Sequence, residues 1–299
     1  MVFLMTSYCG YVALLGRPNV GKSTLLNRLM TTKISITSRK PQTTRHRVLG
    51  VLTETDVQFV FVDTPGVHDP RQKTMNQLMN KAALEAIPDV DVVLWLIDPH
   101  KWTSDDDLVH QALIKHQMPC ILVVNKIDNI KDKTRLLPKI EQWSSLLDFK
   151  AIIPLSAKTG MQVDTLLSVL TPMMPEGPHL FYPDMQTDRP IGFQISEIVR
   201  EKIFRFSGDE LPYATTVELE SMQEEDNVWR IHVLVWVDKE SHKRMLIGNK
   251  GEKMKLMASE ARLDMEALLG KKVFLRCFCK VKTGWAEDIR FLKEQGLDD

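Results

Sequence analysis

Gly16-Arg17-Pro18-Asn19-Val20-Gly21-Lys22-Ser23 decides how the first half of this chain folds. The stretch has the spacing G-x-x-x-x-G-K-[ST] of a phosphate-binding loop. Tyr11-Val12-Ala13-Leu14-Leu15 before it reads as a short apolar strand, and Ser23 to Met30 after it has helical spacing. A strand, a glycine turn and a helix N-terminus make an anion site. Backbone N–H groups converge on phosphates, and the helix dipole adds positive potential. Gly16 and Gly21 allow the turn and the close approach of backbone to ligand. From this loop the Lys22 amine reaches β- and γ-phosphates, and the Ser23 hydroxyl suits Mg²⁺.

Working outward, Thr31 to Arg47 is polar and aperiodic, as a nucleotide-sensing loop would be. Val48–Leu52 and Val57–Val62 read as strands of a hairpin turning at Glu54-Thr55-Asp56. The second strand runs into Asp63-Thr64-Pro65-Gly66. An acidic residue there can hold Mg²⁺ through its water shell, and the Gly66 N–H can reach a γ-phosphate. Val90–Ile97 and Cys120–Val124 suit buried parallel strands, with helical patterns over 73–86, 104–116, 132–147 and 162–173. Such alternation predicts a mostly parallel, doubly wound α/β sheet with its ligand at the carboxyl ends of the strands.

The strand at 120–124 leads into Asn125-Lys126-Ile127-Asp128. The Asp128 carboxylate can accept from guanine N1–H and the 2-amino group, a donor pair that adenine lacks. A buried carboxylate left unpaired is heavily penalised, so the residue selects the base. Asn125 would brace the loop, and the Lys126 stem could lie over the base. Ala151–Pro154 is a further strand, and in Ser156-Ala157-Lys158 after it the backbone could meet the guanine oxygen.

These four motifs in this order resemble the translation-factor type of P-loop GTPase. The resemblance implies GTP/GDP and Mg²⁺ as ligands. It gives a nucleotide site made of Gly16, Arg17, Pro18, Asn19, Val20, Gly21, Lys22, Ser23, Thr24, Thr44, Asp63, Thr64, Pro65, Gly66, Val67, Asn125, Lys126, Asp128, Ser156, Ala157 and Lys158. Ser23, Thr44 and Asp63 are its metal set. Thr44 is preferred to Thr43 as the Mg²⁺-sensing threonine. Lys22, Asn19 and Gly66 are the catalytic candidates. Val67 stands where Ras-like GTPases carry a water-orienting glutamine, and valine cannot hydrogen-bond water. Turnover is therefore expected to be slow without a partner. His68 reads as a solvated turn histidine. Asn19 either holds K⁺, as an asparagine does in related GTPases, or only shapes the turn.

The 299 residues carry 39 Lys+Arg against 39 Asp+Glu, so net charge neither favours nor excludes a polyanion partner. Cys9, Cys120, Cys277 and Cys279 lack disulfide or zinc spacing, and a reduced cytosolic chain is expected. Cys277 and Cys279 share one face of a strand and read as core. Met1 to Met5 is apolar without a basic start, unlike a signal peptide. No apolar run approaches the roughly 18 residues that span a bilayer.

Helix breakers Pro172, Pro175 and Pro178 open a turn-rich stretch. The expected organisation is a GTP-binding domain over 1–175, a linker over 176–190 and a second domain over 191–299. In the second domain Phe193–Phe206 is helical, Ala214–Glu220 and Trp229–Val237 alternate as strands, and Glu224–Asn227 is their loop. Ser241–Ile247 starts a helix. Gly248-Asn249-Lys250-Gly251 follows, then a helix to Leu269 with Met254, Met257, Ala261, Met265 and Leu268 inward, and Lys272–Val281 is a strand. This order resembles an α+β KH domain of the helix-first type. Two glycines at a helix N-terminus let backbone amides approach RNA, and such a loop clamps about four nucleotides. From Lys239 to Lys282 there are 12 Lys/Arg against 5 Asp/Glu, which suits phosphate contacts. The RNA-binding candidates are Ile247, Gly248, Asn249, Lys250, Gly251 and Lys253. Trp285 reads as core.

A GTPase domain followed by such a KH domain resembles the bacterial Era family over nearly the whole chain, Val12 to Leu297. The resemblance implies a monomeric switch that binds the 3′ end of small-subunit ribosomal RNA and assists assembly of the small ribosomal subunit. It also implies a cytoplasmic protein with peripheral association at the inner face of the cell membrane. The alternative is a GTPase switch whose C-terminal domain binds a protein partner.

Overall fold

The computed structural model describes residues 6–38, 40–68 and 74–297. The Met1–Met5 segment lies outside the described residues. Six apolar runs of the first half become strands: β1 (Tyr8–Leu15), β2 (Val48–Thr53), β3 (Val57–Asp63), β4 (Val92–Ile97), β5 (Cys120–Val124) and β6 (Ala151–Pro154). They form one sheet in the order β2-β3-β1-β4-β5-β6, parallel except for the antiparallel β2–β3 hairpin. Between them run α1 (Lys22–Leu29), α2 (Thr74–Glu85), α3 (Ser104–His116), α4 (Leu137–Ser144) and α5 (Val163–Leu170). Alternate residues of β1 point to opposite faces. Val12 and Leu14 join the core under α1 and α5, while Ala13 and Leu15 join the core under α2, α3 and α4. This is the expected doubly wound sheet, and it brings the ends of β1, β3 and β5 together. Over 132–147 the expected single helix opens as a 3₁₀ turn, Lys133–Leu136, before α4. Pro138 fits the first turn of α4, where its missing N–H is no loss.

The second half contains α6 (Ile191–Phe206), β7 (Thr215–Glu225), β8 (Val228–Val237), α7 (Glu240–Ile247), α8 (Glu252–Leu269), β9 (Lys272–Val281) and α9 (Ile289–Glu294). The sheet order is β7-β8-β9, antiparallel then parallel. The β7–β8 turn is tighter than expected. The strands run to Glu225 and from Val228, leaving Asp226 and Asn227 with φ of 51° and 63°. Two left-handed residues are what a two-residue hairpin turn requires. Met257, Ala261 and Met265 face the sheet, but Leu268 is 41% exposed and turns to the cleft between the halves. Cys277 and Cys279 pack in the core as expected, and burial pushes their thiols up to about 12 and about 11.

Two features join the halves. The stretch read as a linker is bonded along the first sheet. Cys9 N donates to Pro175 O, Val51 N to Gln186 O and Leu49 N to Asp188 Oδ1, while Gln58 Oε1 accepts from Leu180 N and Phe181 N. The exposed β2 edge thereby gains partners. Beyond β9 a helix that sequence patterning did not reveal, α9, follows Trp285. Trp285, Phe291, Leu292 and Leu297 bury themselves against Met75 and Met79 of α2. Among the described residues no helix is long and apolar enough to cross a membrane.

Candidate functional site

The phosphate-binding loop curls around its own lysine. Lys22 is buried, and its Nζ donates to Gly16 O at 2.9 Å and Arg17 O at 3.1 Å. Burial lowers its pKa to about 8 against the pull of Asp63. Gly21 caps α1 at φ 105°, and a Cβ there would run into the Asn125 amide. A cleft opens over this loop. It is lined by Pro18, Asn19, Gly21, Lys22, Ser23 and Thr24, by Gly66, and by Ile36, Thr37, Ser38, Gln42, Thr43 and Thr44. Arg17 turns away: its Nε reaches Asp106 Oδ2 at 3.0 Å and its Nη2 reaches Lys101 O at 3.0 Å. Val20 is core, Thr64 Oγ1 donates to Leu14 O at 2.8 Å, and neither Gly16 nor Pro65 lines the cleft.

Three hard oxygens meet at the bottom of the cleft. Ser23 Oγ lies 2.7 Å from Thr44 Oγ1 and donates to Asp63 Oδ2 at 2.7 Å. Asp63 is fully buried, and its Oδ1 has no hydrogen-bond partner. Burial raises its carboxyl pKa, opposed by Lys22. An all-oxygen set with one carboxylate suits Mg²⁺, which takes one or two carboxylates and keeps several waters. Of the two candidate threonines, Thr44 is the one at Ser23; Thr43 Oγ1 instead donates to Lys40 O at 2.8 Å.

Asn125 fastens three loops. Its Nδ2 donates to Val20 O at 2.7 Å, and its Oδ1 accepts from Lys126 N at 2.8 Å and Ala157 N at 2.9 Å. Asp128 is exposed and oriented by Ser156 Oγ at 2.7 Å. The Lys126 Nζ pairs with Asp98 Oδ2 at 2.8 Å. Ser156 N donates to Met161 O and Ala157 N to Asn125 Oδ1, so both amides are engaged within the protein.

One expectation fails at the loop after Asp63. His68 is not solvated; it is 6% exposed. Its Nδ1 lies 2.7 Å from Gly66 O, so Nδ1 carries the proton, and Nε2 accepts from the Gln42 amide at 3.2 Å. Its backbone N–H and C=O are both bonded to the Asn80 side chain, which draws the ring inward. Val67 is buried in the sheet core, as far from addressing water as its chemistry implied.

The polar loop is also held from the second half of the chain. Arg200 Nη2 donates to Thr43 O at 2.5 Å. Arg45 donates to Pro212 O at 2.9 Å and Thr215 O at 2.8 Å and lies over the Trp285 ring. Lys40 reaches Ser207 O, and Glu201 takes Lys33 Nζ and Thr37 N. Thr44 thus stands between two residues that α6 and its following loop hold.

In the second half α7 ends at Gly248, with φ 75°, and Gly251, with φ 83°, caps α8. A Cβ on Gly248 would lie 2.7 Å from Lys253 Cβ, so this glycine allows a close backbone approach. Asn249 and Lys250 are exposed at the tip, with Ile247 and Lys253 half-buried beside them.

A family model described as 50S ribosome-binding GTPase matches residues 11–126, and one described as KH domain matches 210–286. GTPase Era of Coxiella burnetii is 50% identical over 98% of this chain and 99% of its own, and GTPase Era of Yersinia enterocolitica is 49% identical over 98% and 97%. The chain belongs to the Era family of GTPases. Two solved Era structures agree at 36% identity, each covering 97% of this chain and 99% of its own. One is a variant of Aquifex aeolicus Era bound to GDP·AlF₄⁻, with a TM-score of 0.93. The other is Era in complex with MgGDPNP and nucleotides 1506–1542 of 16S ribosomal RNA, with a TM-score of 0.94.

Within this Era fold, several site residues carried no usable sequence signal. Ser38 lines the cleft from an aperiodic loop, and Arg28 holds the Ala157 and Lys158 carbonyls from the last turn of α1. One pH dependence follows from Lys22. Bound phosphate favours its charged form, so at pH above about 8 nucleotide binding takes up a proton. GDP affinity, measured by calorimetry, is expected to hold below pH 8 and to fall by up to about tenfold per unit above it. A flat profile to pH 9 would remove the assignment.

Proposed function

We propose that this Era-family GTPase is a switch that binds the 3′ end of small-subunit ribosomal RNA through its KH domain and assists small-subunit assembly. The carrying observation is the loop around Thr44. Thr44 reaches Ser23 in the cleft, while its neighbours Thr43 and Arg45 are bonded to Arg200, Pro212 and Thr215. A change at the phosphate end of the cleft therefore strains the contacts that seat the KH domain. Ordering such loops by γ-phosphate and releasing them on hydrolysis is a recognised switching device. The relative solved with a 16S ribosomal RNA fragment favours the small subunit. The 50S description belongs to a model that matches only residues 11–126, whereas that relative covers 97% of the chain. Within this proposal 176–190 stays the linker between the domains, the chain acts as a cytoplasmic monomer, and any membrane contact is peripheral.

In hydrolysis the loop amides and Lys22 hold the β- and γ-phosphates. Ser23, Thr44 and Asp63 would hold Mg²⁺, which would supply positive charge to the transferring phosphoryl group. Gly66 lines the cleft beside Pro18, where a Cβ would approach the backbone to 2.7 Å, and its N–H would contact the γ-phosphate. Asp128 reads guanine. Val67 cannot orient water, so turnover is slow until a partner supplies the missing group. Asn19, on the cleft wall at φ 63°, offers an amide oxygen to K⁺. Turnover in KCl is expected to exceed turnover in NaCl at equal ionic strength; equal rates would leave Asn19 a turn residue.

The test of the switch is binding of labelled single-stranded RNA from the ribosomal RNA 3′ end, with a GTP analogue and with GDP. Tighter binding with the analogue is expected, and Gly251→Asp should abolish it, by placing a negative charge and a Cβ on a left-handed residue of the tip. Equal binding by both proteins would reject the KH loop as the RNA site. Binding that ignores the nucleotide would reject the switch. A protein partner in place of RNA would show as salt-insensitive association, since phosphate contacts weaken steeply as salt rises.

A further inference from the structure

The outer face of the second sheet carries a pattern that neither site uses. Along β9 the odd-numbered residues Val273, Leu275, Cys277, Cys279 and Val281 pack under the helices. The even-numbered residues point the other way and alternate in kind: Lys272, Phe274, Arg276, Phe278, Lys280. Phe274 is 40% exposed and Phe278 42%. Across on β8, Arg230 pairs with Phe274, His232 with Arg276 and Trp236 with Lys280. Cations and rings lie on one another. Arg230 and Arg276 sit 5.7 and 5.2 Å from the Phe274 centroid, Lys280 lies 5.8 Å from Trp236, and His232 meets Phe278 edge-on.

Of the acids near this face, Glu218 on β7 accepts from Trp236 Nε1 at 2.9 Å, and three more lie at its ends. Glu225 pairs with Arg230, Glu266 with Lys272 and Asp288 with Lys282. Among the described residues Arg276 and Lys280, in the middle, have no acidic partner. Lysines on an edge strand deter edge-to-edge pairing, which accounts for the charges but not for two open phenylalanine rings between them. Rings that stack bases, set among cations that meet phosphates, are what single-stranded nucleic acid requires.

We infer that this face is a second RNA-contacting surface, with Phe274 and Phe278 stacking unpaired bases and Arg276 and Lys280 meeting the backbone. It rests on the RNA-binding function proposed above and extends it. The face lies across the sheet from α7, α8 and the Gly248–Gly251 loop. An RNA of about four nucleotides fills a KH groove, so only a longer RNA that turns the β9 edge engages both sides.

The experiment compares the full chain, with a GTP analogue, on two RNAs from the small-subunit ribosomal RNA 3′ end. One is about four nucleotides long, and the other is a long RNA containing the same sequence. Phe274→Ala with Phe278→Ala is expected to weaken the long RNA about tenfold or more and leave the short one unchanged. Arg276→Gln with Lys280→Gln is expected to lower the salt slope for the long RNA by about 1 to 2. Long-RNA affinity and slope within about twofold of wild type in both pairs would overturn the proposal, whereas Gly251→Asp sparing the short RNA would overturn the groove assignment instead. Loss of small-subunit binding with intact RNA binding would give the face to a ribosomal protein and also overturn the proposal. Photo-crosslinking of the wild-type chain to uridine-substituted long RNA tests it without a variant. Crosslinks at Phe274 or Phe278 are expected, and crosslinks confined to residues 247–253 would overturn it.

Discussion

Replacing Asp128 by asparagine is expected to cost GTP affinity on the order of 10²- to 10⁴-fold while leaving the weak affinity for ATP unchanged. The range is that of two charge-assisted hydrogen bonds lost together. The side chain is exposed on a short 3₁₀ turn and bonded to the Ser156 hydroxyl, so the substitution disturbs no core. Asparagine presents an N–H where guanine also presents one, and the two donors repel. Xanthine carries a carbonyl in place of the 2-amino group, so xanthosine triphosphate should bind the variant better than the parent. Competition of GTP, ATP and xanthosine triphosphate against a fluorescent nucleotide checks this. Retained GTP-over-ATP selectivity would mean that another group reads the base.

Lys22→Ala should lower GDP and GTP affinity by about 10²-fold or more and bring single-turnover hydrolysis close to the uncatalysed rate. In the structure the amine is buried and bonded to Gly16 O and Arg17 O. Those bonds hold the loop around the place where phosphates bind. Removal takes away the charge and leaves two carbonyls facing an anion, so binding suffers twice. Calorimetry with GDP and quenched-flow with GTP separate the two effects. Affinity and rate within about threefold of the parent would remove Lys22 from the site.

The four nucleotide motifs were legible because each sits at a strand end, where a short local pattern fixes backbone geometry. Asn125 was read as a brace from its position alone, and it bonds Val20, Lys126 and Ala157. His68 was misread for a physical reason. A histidine after a glycine turn has no local signal for burial, and what buries it is Asn80, twelve residues on in α2, with Gln42 from another loop. Arg17 belongs to the loop by pattern, yet its guanidinium is claimed by Asp106 on α3. Leu268 fits the apolar period of α8, but the inward row of Met257, Ala261 and Met265 is continued by Leu269, which packs on the core, and Leu268 turns to the cleft.

By itself the sequence determined both sheets, most of their helices, the phosphate loop, the Asn125–Asp128 loop and the glycine tip. Each depends on residues near one another in the chain, through period, glycine placement or strand-end position. Only the tertiary structure decided how the two domains bear on each other. Arg45 and Arg200 are unremarkable in sequence, and their partners are carbonyl oxygens of Pro212, Thr215 and Thr43, which no pattern of side chains announces. The Trp285 cluster closes over Met75 and Met79 more than 200 residues away in sequence. Contacts of that span form only when the fold returns the chain to itself, and they tie the loop that carries Thr44 to the domain that carries the glycine tip.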